Sequence, residues 1–202
     1  MQTQIKGING AGVEVGLKAT EGGILLSASA QMIWTAKGYG KQAMATAAVA
    51  ALVVRPTTTA MATLFNNSSN KNFVIDRVFA HNLVAAAQCD YGLWLCVHPA
   101  GMTAPTNDIT VRNRTNGAAG DTEGAFDNGA TVVDNGWFPW GESGTTVTVT
   151  TPGRQLMAEV AGRIILPPTA ALSIQVVASV NTATFCAGVH WYAVPETELV
   201  LG

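Results

Sequence analysis

The most regular hydrophobic pattern of the chain lies at residues 91–98. One face of an extended strand over this segment carries four apolar side chains, Tyr91, Leu93, Leu95 and Val97. The opposite face carries Trp94, Cys96 and His98, because side chains alternate across a strand. Since both faces are largely apolar, the pattern predicts an inner strand of a sandwich whose outer face is covered by another subunit.

Other short apolar runs bounded by turn residues predict further strands. These runs are residues 61–65, 73–81, 145–151, 155–166, 172–179 and 184–194. One or two short strands are also expected within residues 24–39. Residues 42–52 fit either a helix, because of their alanines, or a buried strand, because of their valines and leucine. Many strands at this spacing predict an all-β fold, an antiparallel β-sandwich of jelly-roll-like type.

Within residues 73–81 the alternation assigns the side chains to two faces. Phe73, Ile75 and Phe79 are predicted to share one face of the strand. Val74, Asp76 and Val78 are predicted to share the other.

Residues 1–23 are too rich in glycine for a helix and predict an extended N-terminal arm. The isolated apolar residues of this arm are Ile5, Ile8, Val13, Val15 and Leu17. So little apolar surface cannot fold alone, so the arm must lie along its own sandwich or a neighbour. Residues 24–202 are predicted to form a single β-sandwich domain with a long loop at residues 99–136. Loops of that length are usually functional or ordered by a partner.

The most informative feature of the composition is its low proportion of charged residues. Of the 202 residues, 48% are hydrophobic and only 12% are charged, against about 25% in ordinary soluble proteins. A folded chain with so few charges exposes weakly polar surface that suits permanent contacts. The net charge of -2 gives no field that would attract nucleic acid or an anionic membrane. The longest apolar run, residues 43–54, is shorter than the roughly 20 residues that span a bilayer.

Residues that could carry chemistry are few and have no catalytic spacing. No phosphate-binding loop, nucleophile elbow or metal-binding motif is present, so neither an enzyme nor a bound cofactor or metal is expected. The three cysteines are read as small buried hydrophobes. Four loop acids have two interpretations, as turn residues or as oxygen ligands for Ca²⁺. They are Asp121, Glu123, Asp127 and Asp134.

The aromatic cluster at residues 137–140 has several interpretations. Trp137, Phe138 and Trp140 follow a glycine-rich loop and surround Pro139. They can plug one end of the sandwich, anchor an interface or form a platform on which a sugar stacks. The sequence leaves these uses open.

Three stretches resemble virion structural proteins of tailed bacteriophages. They are residues 63–81 (TLFNNSSNKNFVIDRVFAH), residues 164–172 (IILPPTAAL) followed by residues 188–195 (GVHWYAVP), and the N-terminal IKGINGAGVEVG with the LKAT that follows it. Together they cover about a third of the chain. Thr169 departs from the pattern, because those proteins often carry glycine after the double proline.

The resemblance implies a jelly-roll-like domain that trimerises and decorates or cements a phage capsid. Its partners would be copies of itself and the major capsid protein, with no nucleic acid and no membrane. Its location would be the capsid surface of the virion, after synthesis in the host cytoplasm. The alternative is a receptor- or glycan-binding module of a phage tail or head fibre, with the residue 137–140 aromatics on an exposed tip.

Partner contacts are predicted along the arm, on the outer face of the residue 91–98 strand and at the aromatic cluster. The predicted contact residues are Ile5, Ile8, Val13, Val15, Leu17, Trp94, Trp137, Phe138 and Trp140.

Overall fold

The computed structural model describes residues 6–8, 14–16, 29–84, 88–106, 108–146 and 155–201. Residues 1–33 and residues 34–202 form two separate compact units. In the first unit, β1 (Lys6–Ile8) pairs antiparallel with β2 (Glu14–Gly16), so that Gly7 lies opposite Val15. The described part of the predicted arm is therefore extended but folded back as a two-stranded ribbon.

The remaining elements within the described residues are one helix and twelve strands. The helix α1 is Ala30–Ala36. The first strands are β3 (Gly40–Met44), β4 (Val49–Ala50), β5 (Ala62–Phe65), β6 (Lys71–Val84) and β7 (Cys89–His98). They are followed by β8 (Arg112–Asn113), β9 (Ala125–Asn128), β10 (Phe138–Thr146) and β11 (Gln155–Glu159). The last are β12 (Ile165–Leu166), β13 (Ala171–Ala178) and β14 (Thr184–Pro195).

Two antiparallel sheets pack face to face. The five-stranded sheet has the order β10-β7-β13-β5-β9, and the seven-stranded sheet has the order β11-β6-β14-β3-β8, with β12 beside β6 and β4 beside β14. The predicted all-β antiparallel sandwich is confirmed.

The strand pairing is that of a long hairpin wrapped around a barrel-like core. The outermost pair is β3 with β14, and inside it lie β5 with β13, β6 with β11 and β7 with β10. The wrapping is closed by β14 against β6 and by β13 against β7. Four nested pairs distributed over two sheets are the topology of a jelly roll.

The core lies between the sheets and is built from alternate residues of each strand. On β13, for example, Leu172, Ile174 and Val176 face inward and are fully buried. The largest fully buried side chains are Trp191, Phe73, Phe126, Phe185 and Met61. The three cysteines are buried and form no disulfide with one another, as predicted from their apolar surroundings.

A β-bulge interrupts β6 at Asp76. Arg77 pairs with His190 and Ile75 pairs with Trp191, so Asp76 has no residue directly opposite on β14. The Asp76 carbonyl instead accepts hydrogen bonds from backbone N–H groups at residues 160 and 161, in the connection between β11 and β12. An extra residue of this kind changes the alternation of the strand beyond it.

The bulge corrects the predicted faces of β6. Phe73 and Ile75 point into the core as predicted, but beyond Asp76 it is Val78 that is fully buried. Phe79 lies on the outer face of the sheet, beside His190. The prediction that grouped Phe79 with Phe73 and Ile75 was therefore wrong.

Two further segments differ from their predicted structure. The strands expected within residues 24–39 are replaced, over the described part, by α1, where the Ser29 hydroxyl accepts a hydrogen bond from the Met32 N–H. A serine at this position is a typical helix N-cap. Residues 42–52, left open between helix and strand, contribute to β3 and β4.

The predicted long loop at residues 99–136 contains two short strands. β8 extends the seven-stranded sheet beside β3, and β9 extends the five-stranded sheet beside β5.

The structure also shows the conformation of the turn at Thr169, the residue that departs from the phage-protein pattern. Thr169 adopts a left-handed backbone with φ of 64°, and its hydroxyl accepts the Gly101 N–H at 2.8 Å. The threonine thus occupies a conformation that usually favours glycine.

Candidate functional site

The aromatic cluster does not present one exposed surface. Trp137 is 4% exposed, and its indole N–H donates to the Thr57 carbonyl at 2.8 Å. Phe138 and Trp140 lie 5.5 Å apart and pack partly against the main core. The Arg163 guanidinium lies 5.3 Å from the centre of the Trp140 ring. The burial of Trp137 leaves little of this side chain for a partner, while the predicted contacts at Phe138 and Trp140 stay predictions.

The outer face of the five-stranded sheet is covered by the chain itself. Cys96 is fully buried there in a small apolar cluster with Trp137. The other buried members are Ala60, Ala130 and Val132, with Trp94 packed against them. The expectation that another subunit covers this face was wrong, because residues from loops at 57–60 and 130–137 already cover it. Trp94 remains partly exposed at the side of this cluster.

Four polar side chains form a hydrogen-bonded chain within this covered face. His98 is 1% exposed, and its Nε2 lies 2.8 Å from Ser173 Oγ. Asn135 Nδ2 lies 2.9 Å from His98 Nδ1, and Ser173 Oγ lies 3.0 Å from Thr63 Oγ1. No sequence motif indicated this group, because its members come from β5, β7, β13 and a loop.

The direction of these hydrogen bonds decides what the group can do. An amide nitrogen only donates, so Nδ1 of His98 accepts from Asn135 and the imidazole proton is on Nε2. Nε2 therefore donates to Ser173, whereas a catalytic base must accept the serine proton. Burial also lowers the pKa of His98, which keeps the ring neutral. As arranged, the group satisfies buried polar atoms and does not activate Ser173.

The loop acids considered as Ca²⁺ ligands are mostly paired with cations. Asp121 and Glu123 both contact the Lys41 ammonium, at 2.5 Å and 3.1 Å, and Glu123 also contacts Lys71. Asp134 is bonded to Arg55 at 2.7 Å, which with the Gly136 N–H lowers the pKa of Asp134 to about 2. Asp127 is buried near Asp108, and burial followed by the neighbouring carboxylate raises the pKa of Asp127.

The described residues cover the outer face of the seven-stranded sheet only in part. Over one half, Val74, Tyr192 and Val194 are buried beneath four partly buried side chains. These are Trp34, Tyr39, Ile165 and Leu199. We call the other half the open face and define it by Met44, Phe79, Leu83, Met157 and His190.

Apolar side chains lie side by side across the open face. Met157 pairs with Phe79, Phe79 with Gly188, and Gly188 with Met44. A Cβ on Gly188 would lie under 3.0 Å from the Phe79 ring, so the ring extends over the glycine. Met44 is 43% exposed and Leu83 is 38% exposed. The sheet therefore presents a continuous apolar strip.

A pocket of about 340 Å³ lies at one side of the open face. Its walls include Met44, Phe79, His190, Ile109 and Arg112. The rings of Phe79 and His190 meet edge to face at 5.4 Å between centroids. Among the described residues, Nδ1 of His190 is shielded from solvent and has no hydrogen-bond partner.

His190 should make the folded state sensitive to acid. Burial first, and then the Arg114 charge, lower its pKa from 6.5 to about 4. Between these two values the unfolded chain binds a proton that the folded chain does not, so stability falls as pH decreases through this window. We expect a loss of about 2 kcal/mol between pH 7 and pH 4, allowing for partial exposure of the ring. Urea unfolding at both pH values measures it.

The matched variant for this prediction is His190→Gln, which keeps a polar side chain but cannot titrate. Its loss of stability between pH 7 and pH 4 should be smaller than that of the wild type. An unchanged pH dependence in His190→Gln would show that other groups cause the acid sensitivity.

The predicted arm contacts fall in two classes. Ile8 and Val15 lie in the β1–β2 ribbon. Ile5, Val13 and Leu17 lie outside the described residues.

No group of three or more His, Cys, Asp or Glu side chains among the described residues could hold a metal ion. No helix in the described segments is long and apolar enough to cross a membrane. Comparison with protein-family models, with curated proteins and with solved structures found no match to this chain.

Proposed function

We propose that the chain is a structural virion protein that decorates or cements the capsid of a tailed bacteriophage. It packs against copies of itself, as a homotrimer, and against the major capsid protein. The observation that carries the proposal is the apolar strip on the open face, on a chain with only 12% charged residues. A surface of this kind favours lasting contacts with protein.

Two other observations support this proposal. The jelly roll is common among viral capsid domains, although it also occurs in lectins and enzymes, so it supports the proposal by analogy only. The sequence stretches that resemble phage virion proteins include β6 and β14, the two strands at the centre of the open face.

The arm is proposed to add contacts with the capsid. A two-stranded ribbon such as β1–β2 has outer edges whose backbone groups can pair with a further strand. Contacts repeated by symmetry then strengthen attachment through effective concentration.

The test is to measure the mass of the purified chain by light scattering at micromolar concentration, and its binding to expanded capsids that lack it. We expect a trimer that binds the capsids. A monomer that does not bind them would contradict the proposal.

The proposal does not extend to glycan binding. That alternative requires Trp137, Phe138 and Trp140 to face solvent together as a stacking platform. Trp137 is instead buried and Arg163 lies against Trp140.

A further inference from the structure

We infer that the open face is the surface through which one copy of this chain packs against a second copy. The inference rests on the proposed function, since it assumes that the chain assembles with itself. The inference adds to that function the location of the contact surface. The sequence pattern predicted this surface on the opposite sheet, at Trp94, Cys96 and His98.

The apolar strip supplies the central part of such an interface. Met44, Phe79 and Met157 lie in register across four strands, and the Phe79 ring extends over Gly188, the residue between Phe79 and Met44. Methionine and aromatic side chains are enriched at protein interfaces, and methionine adapts its shape to a partner.

The charges around the strip suit a second copy of this chain. Arg77 is paired with Glu159 at 2.5 Å and Arg114 with Asp76 at 3.2 Å, and Arg112 and Asp108 both line the pocket. These three arginines and three acids give a net charge of zero when His190 is neutral. Such a face suits another copy of a chain whose net charge is only -2, whereas it offers no excess charge to a strongly acidic or basic partner.

The size of the face suits the central part of a stable contact. Four strands at about 4.8 Å spacing and at most about eight residues at about 3.4 Å each give a flat area of no more than roughly 520 Å². The face therefore supplies the centre of the roughly 800 Å² that each partner contributes to a standard interface, and the surface around it supplies the rest.

The pocket beside His190 gives the contact a specific feature. It lies next to the apolar strip, and it is lined by an imidazole that has unused hydrogen-bonding capacity. A side chain of the second copy fills this pocket, as interface anchors usually do.

The first test compares Met44→Glu with Val133→Glu. Both variants place a carboxylate at an exposed apolar position, since Met44 is 43% exposed and Val133 is 67% exposed. Met44 lies on the open face, whereas Val133 lies in the loop region that covers the five-stranded sheet. We expect Met44→Glu to weaken self-association by about 100-fold, because it buries a charge in the contact. Val133→Glu should leave the association unchanged within about twofold. Sedimentation over a range of concentrations gives both constants, and thermal unfolding checks that each variant is folded.

The second test uses the unmodified protein. Hydrogen peroxide converts accessible methionine to its sulfoxide, and mass spectrometry gives the rate at each site. Met44 and Met157 should be oxidised several-fold more slowly at concentrations where the chain is assembled than where it is dilute. This measurement remains decisive if Met44→Glu does not fold.

The outcomes separate the inference from the proposed function. If the wild type stays monomeric at all concentrations, the proposed self-assembly fails. If the wild type assembles while Met44→Glu assembles equally well, or Val133→Glu alone disrupts it, only the inference is overturned. Slow oxidation of Met44 and Met157 at concentrations where sedimentation shows a monomer would also overturn it, since the chain itself would then cover the face.

Discussion

Replacing Asp121 by Asn together with Glu123 by Gln should lower the free energy of unfolding by about 3 kcal/mol, because a buried ammonium loses both its carboxylate partners. The Lys41 side chain is 5% exposed, and its Nζ lies 2.5 Å from Asp121 and 3.1 Å from Glu123. Water cannot replace these partners at so buried a position. Urea unfolding at pH 7 measures the effect.

The control for this prediction is Asp134→Asn. Its partner, Arg55, has a side chain that is 46% exposed, so water can replace the lost carboxylate and this variant should cost much less than the double variant. Adding Lys41→Met to the double variant should recover most of the loss, because it removes the deeply buried unpaired charge, whereas Lys71, which also loses Glu123, is 24% exposed and can be solvated. A double variant as stable as the wild type would show that Lys41 does not depend on these carboxylates.

The Gly141→Ala variant should lose about 3 kcal/mol of stability, from a left-handed backbone and from a clash with a neighbouring strand. Gly141 has a φ of 84°, and a Cβ there would lie 2.6 Å from the backbone carbonyl oxygen of Met157. β10 passes close to β11 at this point, so the glycine lets the edges of the two sheets approach. Thermal or urea unfolding measures the loss.

Gly129→Ala provides the comparison for Gly141→Ala. Its φ is 79°, but nothing lies within 4 Å of the Cβ that would be added. It should therefore cost only about 1 kcal/mol, from the backbone conformation alone. Equal losses in the two variants would show that the close approach of β10 and β11 is unimportant for stability.

The strands of this fold were readable from the sequence where one face is apolar or where turn residues mark both ends. The β7 pattern from Tyr91 to Leu95 matches the core face that the structure gives it. Helix α1 was missed, although Ser29 at its N-cap is the kind of signal that marks such a start. Its short length and its Ile33 and Trp34 favoured a strand interpretation.

The two faces of β6 could not be assigned from the sequence. Val78 and Phe79 are both apolar, so alternation alone does not indicate which of them faces the core after a bulge. The bulge at Asp76 depends on hydrogen bonds from residues 160 and 161, which are far away in the chain. Periodicity is a local signal and contains no information about such a partner.

The covering of the second face of β7 could not be predicted, for a related physical reason. Trp94, Cys96 and His98 were correctly identified as a second apolar face, but the sequence did not show that distant loops cover it. Conversely, nothing in the alternation of β3, β6 and β14 indicated that Met44, Phe79 and His190 meet on an uncovered sheet. Which apolar face is left open is decided by tertiary packing.

The nested pairing of strands has a consequence for how the chain folds. β14 lies between β3 and β6 in the seven-stranded sheet, yet about 140 residues separate β3 from β14 in the sequence. Contacts between such distant segments form slowly, typically in milliseconds to seconds for β-sandwiches. The open face therefore does not exist on a ribosome-bound chain until residue 190 has emerged. Copies synthesised on neighbouring ribosomes therefore cannot form the proposed contact before that point.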